Sequence, residues 1–316
     1  MLNCPNTKNQ NVNIEECTIL DTFKDFIQYK ESQGLSEYTK KTYQNHINFF
    51  IKTIGNKNIN EVSTYDYKQF LEVLKNRNIS QATIKSYSNT LRSFFNYAFD
   101  NNYMYYKVNV EYIKAQTQIK QTYSNEELEK LLKKPNVRKC TFTTYKVWVL
   151  ENLVISTGLR ITSVLNIKIK DLDLSNHSII VNTTKNKKAF ITYLNLDMLQ
   201  ILKEYLSYRG GEQEDFLFCT NEGKQISRRT MQQEIRDYNL SRGVEKTSIH
   251  LLRHTFARNS ILQGQDVFTL MHMLQHNDIT TTYNYLKTLG LDIKDRVDVY
   301  NPQRMFNSNN KKITMH

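Results

Sequence analysis

Tyr43, Ile47, Phe50 and Ile54 recur at i, i+4, i+7 and i+11 within "GLSEYTKKTYQNHINFFIKTIG", and Ser36 stands where an N-cap belongs. That spacing puts an apolar stripe on one face of a helix. A second stripe, Ile84, Tyr87, Leu91, Phe94 and Ala98, follows "ISQAT", and "VSTYDYKQFLEVLKN" between the two predicts a shorter helix. Helices with one apolar face must bury it against each other. Residues 18–104 therefore predict a small all-helical domain, and residues 1–17 a flexible lead-in.

Helical periodicity is lost after Asn101-Asn102, in "YMYYKVNVEYIKAQTQIKQ", which predicts a linker over 105–122. A new start is signalled by "YSNEELEKLLKK", where Ser124 and Glu127 match a capping box ahead of an apolar run. A second domain is expected over 123–300, with 301–316 as a polar tail. In it, "TYKVWVLENLVISTGLRITSVLNI" reads as two helices broken at Gly158. "HSIIVNTTKNKKAFITYLNL" then alternates like two strands around the turn Lys185-Asn186-Lys187. Further helices are expected from Ser227 to Leu240 and from His250 onward. The expected fold class is mainly α with a small antiparallel β-sheet in the second domain.

Charge narrows the partners. With 43 Lys and Arg against 31 Asp and Glu, the chain of 316 residues carries +12 and should attract a polyanion. Residues 1–122 hold 15 basic and 11 acidic side chains, the remainder 28 and 20, so the excess is spread over folded segments rather than held in one arm. DNA is the expected partner; a merely lysine-rich solvated surface is the competing explanation. Cys4, Cys17, Cys140 and Cys219 lie too far apart in sequence for a zinc or redox pair. With no secretory signal and no run of about 18 apolar residues, a cytoplasmic protein without membrane contact is expected.

The strongest local signal for chemistry is "HLLRHTFARNSI". His250 and Arg253 lie three apart and share a helix face, where an imidazole and a planar guanidinium can address one anion. His250 with His254, and His272 with His276, also have the i, i+4 spacing of a metal pair. The glutamate a metalloprotease helix needs is replaced by Leu251 and Met273, so no metal and no cofactor is expected. Arg160 follows a Gly-Leu turn at the head of an apolar helix, and Lys185 sits at the hairpin tip. Each is unremarkable singly.

In "LQHNDITTTYNYL", Asn277-Asp278 predicts an N-cap and 279–290 a helix. At about 100° per residue, Tyr283 falls within about 40° of Ile279 and Leu286 within about 20°, whereas Tyr285 falls about 120° away on the side of Thr281 and Thr282. Tyr283 is thus the packing residue and Tyr285 the one free to face a site. A tyrosine attacking a phosphodiester builds negative charge that cations must hold. Arg160, Lys185, His250, Arg253 and His276 supply them.

In that order, "TGLR", "TTKNKK", "HLLRHT", "LQH" and a tyrosine nine residues after His276 resemble the motifs of the tyrosine recombinase (phage integrase) family. The resemblance spans the second domain, and the helical first domain resembles the family's core-binding, SAM-like domain. It implies a two-domain clamp on double-stranded DNA, recombining short inverted core sites without ATP. Tyr285 would be the nucleophile, forming a 3′-phosphotyrosyl bond. Arg160 and Arg253 would clamp the phosphate with His276 assisting, Lys185 would act as general acid, and His250 would position the phosphate or move protons. It also implies a protein that is monomeric when free, assembles as a homotetramer on two sites, and works in the bacterial cytoplasm at the nucleoid.

Three positions depart from the family pattern. Ser163 stands where an acidic residue usually follows the first arginine, Gln275 replaces the usual glycine before His276, and Lys187 competes with Lys185 for the acid role. A type IB topoisomerase and a catalytically silent DNA-binding factor are the alternatives. Integration, cointegrate resolution and dimer resolution stay open as roles.

Overall fold

The structure is a computed structural model and describes residues 17–114, 121–182 and 189–275. The chain divides into two compact units, Met1–Thr117 and Gln118–His316.

The first unit is built from α1 (Ile19–Ser32), α2 (Glu37–Ile54), α3 (Thr64–Lys75) and α4 (Gln81–Asp100). Each start is written into the sequence: the hydroxyls of Thr18, Ser36 and Ser80 accept the backbone N–H groups of Asp21, Thr39 and Thr83, and Ser63 and Asp66 form a capping box on α3. The predicted stripes meet in an aromatic core. Phe50 stands edge-on to Phe70 with centroids 5.1 Å apart, and Phe26 edge-on to Phe94 at 5.7 Å, the geometry that aromatic quadrupoles favour.

After α4 the chain runs without helix or strand, yet the stretch from 105, expected as a linker, packs back onto this unit. Val108 and Val110 are buried in its core, and the Arg92 guanidinium donates to the carbonyls of Val110 (3.1 Å) and Glu111 (2.8 Å). Two apolar residues at alternate positions are a weak sequence signal, too short to distinguish from a tether.

In the second unit, buried Tyr123 leads into α5 (Asn125–Leu132), which has the predicted Ser124/Glu127 capping box. Its axis is α6 (Phe142–Thr157), buried on almost every side, followed by α7 (Ile161–Val164). Strands β1 (Leu172–Asp173), β2 (Ser178–Asn182) and β3 (Ala189–Tyr193) form an antiparallel sheet in sequence order, with Ile180 opposite Ile191. Ile179 and Val181 face the core, and the alternation fixes the register. α8 (Leu196–Arg209), α9 (Arg228–Ser241), α10 (Ile249–Leu262) and α11 (Val267–Leu274) complete the described residues. The fold is mainly α with one small antiparallel sheet.

Two elements of the second unit were absent from the expectation. β1 is two residues long and exists only by pairing with β2. α8 follows directly from β3 with Asn195 as its cap, and its apolar positions Met198, Leu199, Leu202 and Tyr205 are those of a helix.

Candidate active site

The site is organised by a break. Gly158 ends α6 in the left-handed region (φ 67°). A side chain there would collide with the Phe256 ring and meet Leu274 Cδ2 at 3.0 Å, so this turn requires glycine on both conformational and steric grounds. Two residues on, Arg160 caps α7 in an extended conformation. The turn thereby lifts Arg160 off the α6 axis towards α10 and α11.

Arg253 approaches from α10. It is 4% exposed, and its guanidinium spans two elements, donating through Nη1 to the Gly158 carbonyl and through Nη2 to the Leu274 carbonyl at 2.6 Å. Arg160 Nη2 donates to the next carbonyl, that of Gln275, at 3.2 Å. The two arginines therefore converge on adjacent carbonyls at the C-terminal end of α11, where the helix exposes acceptors that no intrahelical N–H satisfies and where its dipole favours cations.

Two of the departures from the family pattern gain a physical account here. Ser163 is buried on α7, and a partner for the Arg160 guanidinium is the Gln275 carbonyl. Gln275 itself takes the left-handed conformation (φ 52°, ψ 48°) that glycine usually supplies at a helix C-cap. The turn is kept without the glycine. The side-chain nitrogen and oxygen of Gln275 are buried and have no hydrogen-bond partner among the described residues.

His250 lies on the same α10 face as Arg253, one turn earlier, and is open to solvent on one side. Its Nε2 accepts from Arg228 Nη2 at 3.3 Å. Desolvation first, then the positive charges of Arg228, Arg253 and Arg160, hold the imidazole below its ordinary pKa of 6.5. At neutral pH it is uncharged and able to take a proton. Three guanidinium groups bearing on one imidazole also make this corner of the unit strongly positive.

Arg228 was not singled out from sequence. It opens α9, whose outer face carries Arg228, Arg229, Gln232, Gln233 and Arg236 exposed, while Met231, Ile235 and Tyr238 are buried. Among the described residues none of those three arginines has a carboxylate partner. Arg229, Gln232, Gln233 and Arg236 together with Thr247 line a shallow cavity of about 250 Å³. The signal was legible as "SRRTMQQEIRDY", a capped helix with arginine and glutamine at helical spacing.

Arg160, His250 and Arg253 are thus brought together by the Gly158 turn, α10 and the end of α11. Lys185 and its competitor Lys187, His276, and Tyr285 with its neighbours Tyr283, Ile279 and Leu286 lie outside the described residues. No helix among the described residues is long and apolar enough to cross a membrane.

Comparison with known proteins covers most of the chain. Residues 121–289 match the model of the phage integrase family, and residues 22–104 match that of the phage integrase N-terminal SAM-like domain. Tyrosine recombinase XerC of Staphylococcus aureus is 27% identical over 265 residues, covering 81% of this chain and 88% of the relative. Tyrosine recombinase XerC of Thermodesulfovibrio yellowstonii is 30% identical over 225 residues, covering 67% and 72%. The fold is shared with a lambda integrase solved as a dimer bound to a COC′ core site, with TM-score 0.71 at 17% identity over 87% of this chain and 98% of that one.

Proposed function

This chain belongs to the phage integrase family, the tyrosine recombinases, and is a site-specific DNA cleaving and rejoining enzyme; from that premise we propose that Tyr285 is its nucleophile, attacking a backbone phosphate to form a 3′-phosphotyrosyl bond and release a 5′-hydroxyl. The bond energy of the phosphodiester is kept in the covalent link, so the strand can be resealed, to itself or to a new partner, without ATP.

One observation carries the reading. The guanidinium groups of Arg160 and Arg253 meet at Leu274 and Gln275, the residues directly before His276, and Tyr285 follows His276 by the family spacing. A guanidinium carries its N–H donors in a planar fork that suits two phosphate oxygens. His250, uncharged at neutral pH, suits proton movement at the phosphate, and His276 assists the clamp. Lys185 protonates the leaving oxygen, ahead of Lys187. The substrate is double-stranded DNA carrying short inverted core sites. The first unit and the exposed arginines of α9 grip the duplex, which gives a two-domain clamp, and four protomers join two sites. The enzyme works in the cytoplasm on the nucleoid. No cofactor or metal enters the scheme, since charge stabilisation rests on the cationic side chains.

A nicked suicide site tests the assignment. The full chain should be trapped on it as a covalent adduct; Tyr285→Phe should abolish the adduct and Tyr283→Phe should keep it. Survival of the adduct in Tyr285→Phe would refute the nucleophile, and relaxation of supercoiled DNA without strand transfer between two substrates would point to a topoisomerase.

A further inference from the structure

Away from the two arginines, α6 carries a carboxyl group that the chemistry above does not use. Glu151 has no solvent exposure, and among the described residues neither of its oxygens has a hydrogen-bond donor. Beside it stands Asn239 of α9, equally buried. The Asn239 side-chain nitrogen is committed to two acceptors, the Tyr123 hydroxyl at 3.1 Å and the Lys246 carbonyl at 2.9 Å, which fixes the orientation of the amide. Its oxygen is left as a third buried acceptor with no donor. Three buried acceptor oxygens without a donor are not a stable arrangement for an ionised carboxylate.

We propose that Glu151 is a neutral acid in the folded protein, donating its O–H to Asn239 Oδ1, and that through Asn239 and Tyr123 it fastens the turn that delivers His250 and Arg253 to the site. A protonated carboxyl has one donor, and its neighbour has the one acceptor that lacks one. Asn239 and Tyr123 then hold the Lys246 carbonyl together, and the Tyr123 hydroxyl, donating at 3.0 Å to Lys246 and 3.3 Å to Ser248, reaches the last residue before α10. The backbone N–H of Tyr123 also donates to Thr255 Oγ1 on α10 itself, at 2.9 Å. Glu151 touches no substrate and is a positioning residue.

The positive charge of Arg242 favours ionisation, and desolvation outweighs it. Arg242, at the end of α9, is the charged group that acts on Glu151, but its guanidinium is engaged with the Lys133 carbonyl at 3.0 Å and the Tyr238 ring at 5.1 Å. Tyr123, before α5, and Tyr238, on α9, are the other titratable groups facing it, and burial pushes both further towards their neutral forms. Glu127 on α5 is ion-paired with Lys246 at 2.8 Å. Burial raises the Glu151 carboxyl well above the usual carboxylate range.

A group whose folded-state value is raised contributes stability that is fully present below its unfolded value, here 4.5, and is lost as pH rises towards the folded value. Glu151→Gln keeps a donor for Asn239 and does not titrate. Unfolding of the full chain in urea from pH 5 to 9 should show Glu151→Gln gaining on the wild type by up to about tenfold in folding equilibrium constant per pH unit. The protonated-carboxyl band in the infrared difference spectrum should vanish in the variant. A difference that stays constant or shrinks with pH means that Glu151 is ionised in the fold, and the proposal fails.

The consequence for cleavage rests on the recombinase reading. On the nicked site, Glu151→Gln should form adduct within about twofold of the wild-type rate, whereas Glu151→Leu, which has bulk but no donor, should lose about tenfold with DNA affinity held within about threefold. Wild-type cleavage by Glu151→Leu would overturn the positioning role. Should Glu151→Leu not fold, Tyr123→Phe removes the hydroxyl that holds Lys246 and Ser248 and should show the same split. A wild-type chain that forms no adduct at all would sink the recombinase reading and leave the pH dependence of stability as the test of Glu151.

Discussion

Arg253 donates to the backbone carbonyls of Gly158 and Leu274 and is almost wholly buried there, whereas Arg160, which donates to the carbonyl of Gln275, is only partly buried. Their removal should differ accordingly. Arg253→Ala strands two buried acceptors and should lower the unfolding free energy in urea by about 2 kcal/mol or more, while Arg160→Ala should cost about 1 kcal/mol; both should abolish the covalent adduct. An Arg253→Ala protein as stable as the wild type would show that the two carbonyls do not depend on it. His250 makes a different prediction. Its folded-state value lies below 6.5, so it contributes stability that is present above that value and lost as pH falls. A phosphate beside it favours the charged form. Titration calorimetry near pH 6, in buffers of different ionisation enthalpy, should therefore show proton uptake on DNA binding, and His250→Asn should reduce it. Equal uptake by both proteins would remove His250 as the group that responds.

At the scale of elements, the end of α11 is the junction on which the site depends. Both arginines hold its last carbonyls, and Gln275 turns the chain there through a conformation costly for any residue with a side chain. Gln275→Gly should relieve that cost and raise stability by about 1 kcal/mol in urea unfolding, with adduct formation retained. A destabilised variant would mean that the glutamine amide makes a bond that outweighs the strain. The glycine break at 158 was legible because left-handed turns demand glycine. The left-handed turn at 275 was not, because glutamine gives no such signal. α8 was missed for another reason: its helical period begins at Asn195, two residues after the strand it follows, and the alternating pattern ran into it.

For the whole molecule, the net charge of +12 and its spread over both units make long-range attraction to DNA a property of the entire surface. The exposed arginines of α9 should add local grip on the backbone. Replacing Arg229 and Arg236 by Ala should flatten the dependence of log affinity on log salt by about 0.9 for each phosphate no longer neutralised, measured by fluorescence anisotropy. An unchanged slope would place the duplex away from α9. Each of the two units carries its own apolar stripes, and the core of the first extends past α4. Val108 and Val110 look like tether residues until the core they enter is known.

What the sequence determined by itself is everything local: the caps at Ser36, Ser80 and Ser124, the helical stripes, the strand alternation, the glycine at 158, and an ordered series of motifs specific enough to name a family. Local rules suffice there because helix period, turn chemistry and capping act within a few residues. Tertiary structure decided which distant groups meet. It set Arg160 and Arg253 on neighbouring carbonyls, put Arg228 of α9 against His250, and buried Glu151 beside Asn239. Such meetings depend on how α6, α9, α10 and α11 pack, and packing joins residues from 21 positions apart, as for Arg253 and Leu274, to 115, as for Arg160 and Gln275, that no periodicity connects.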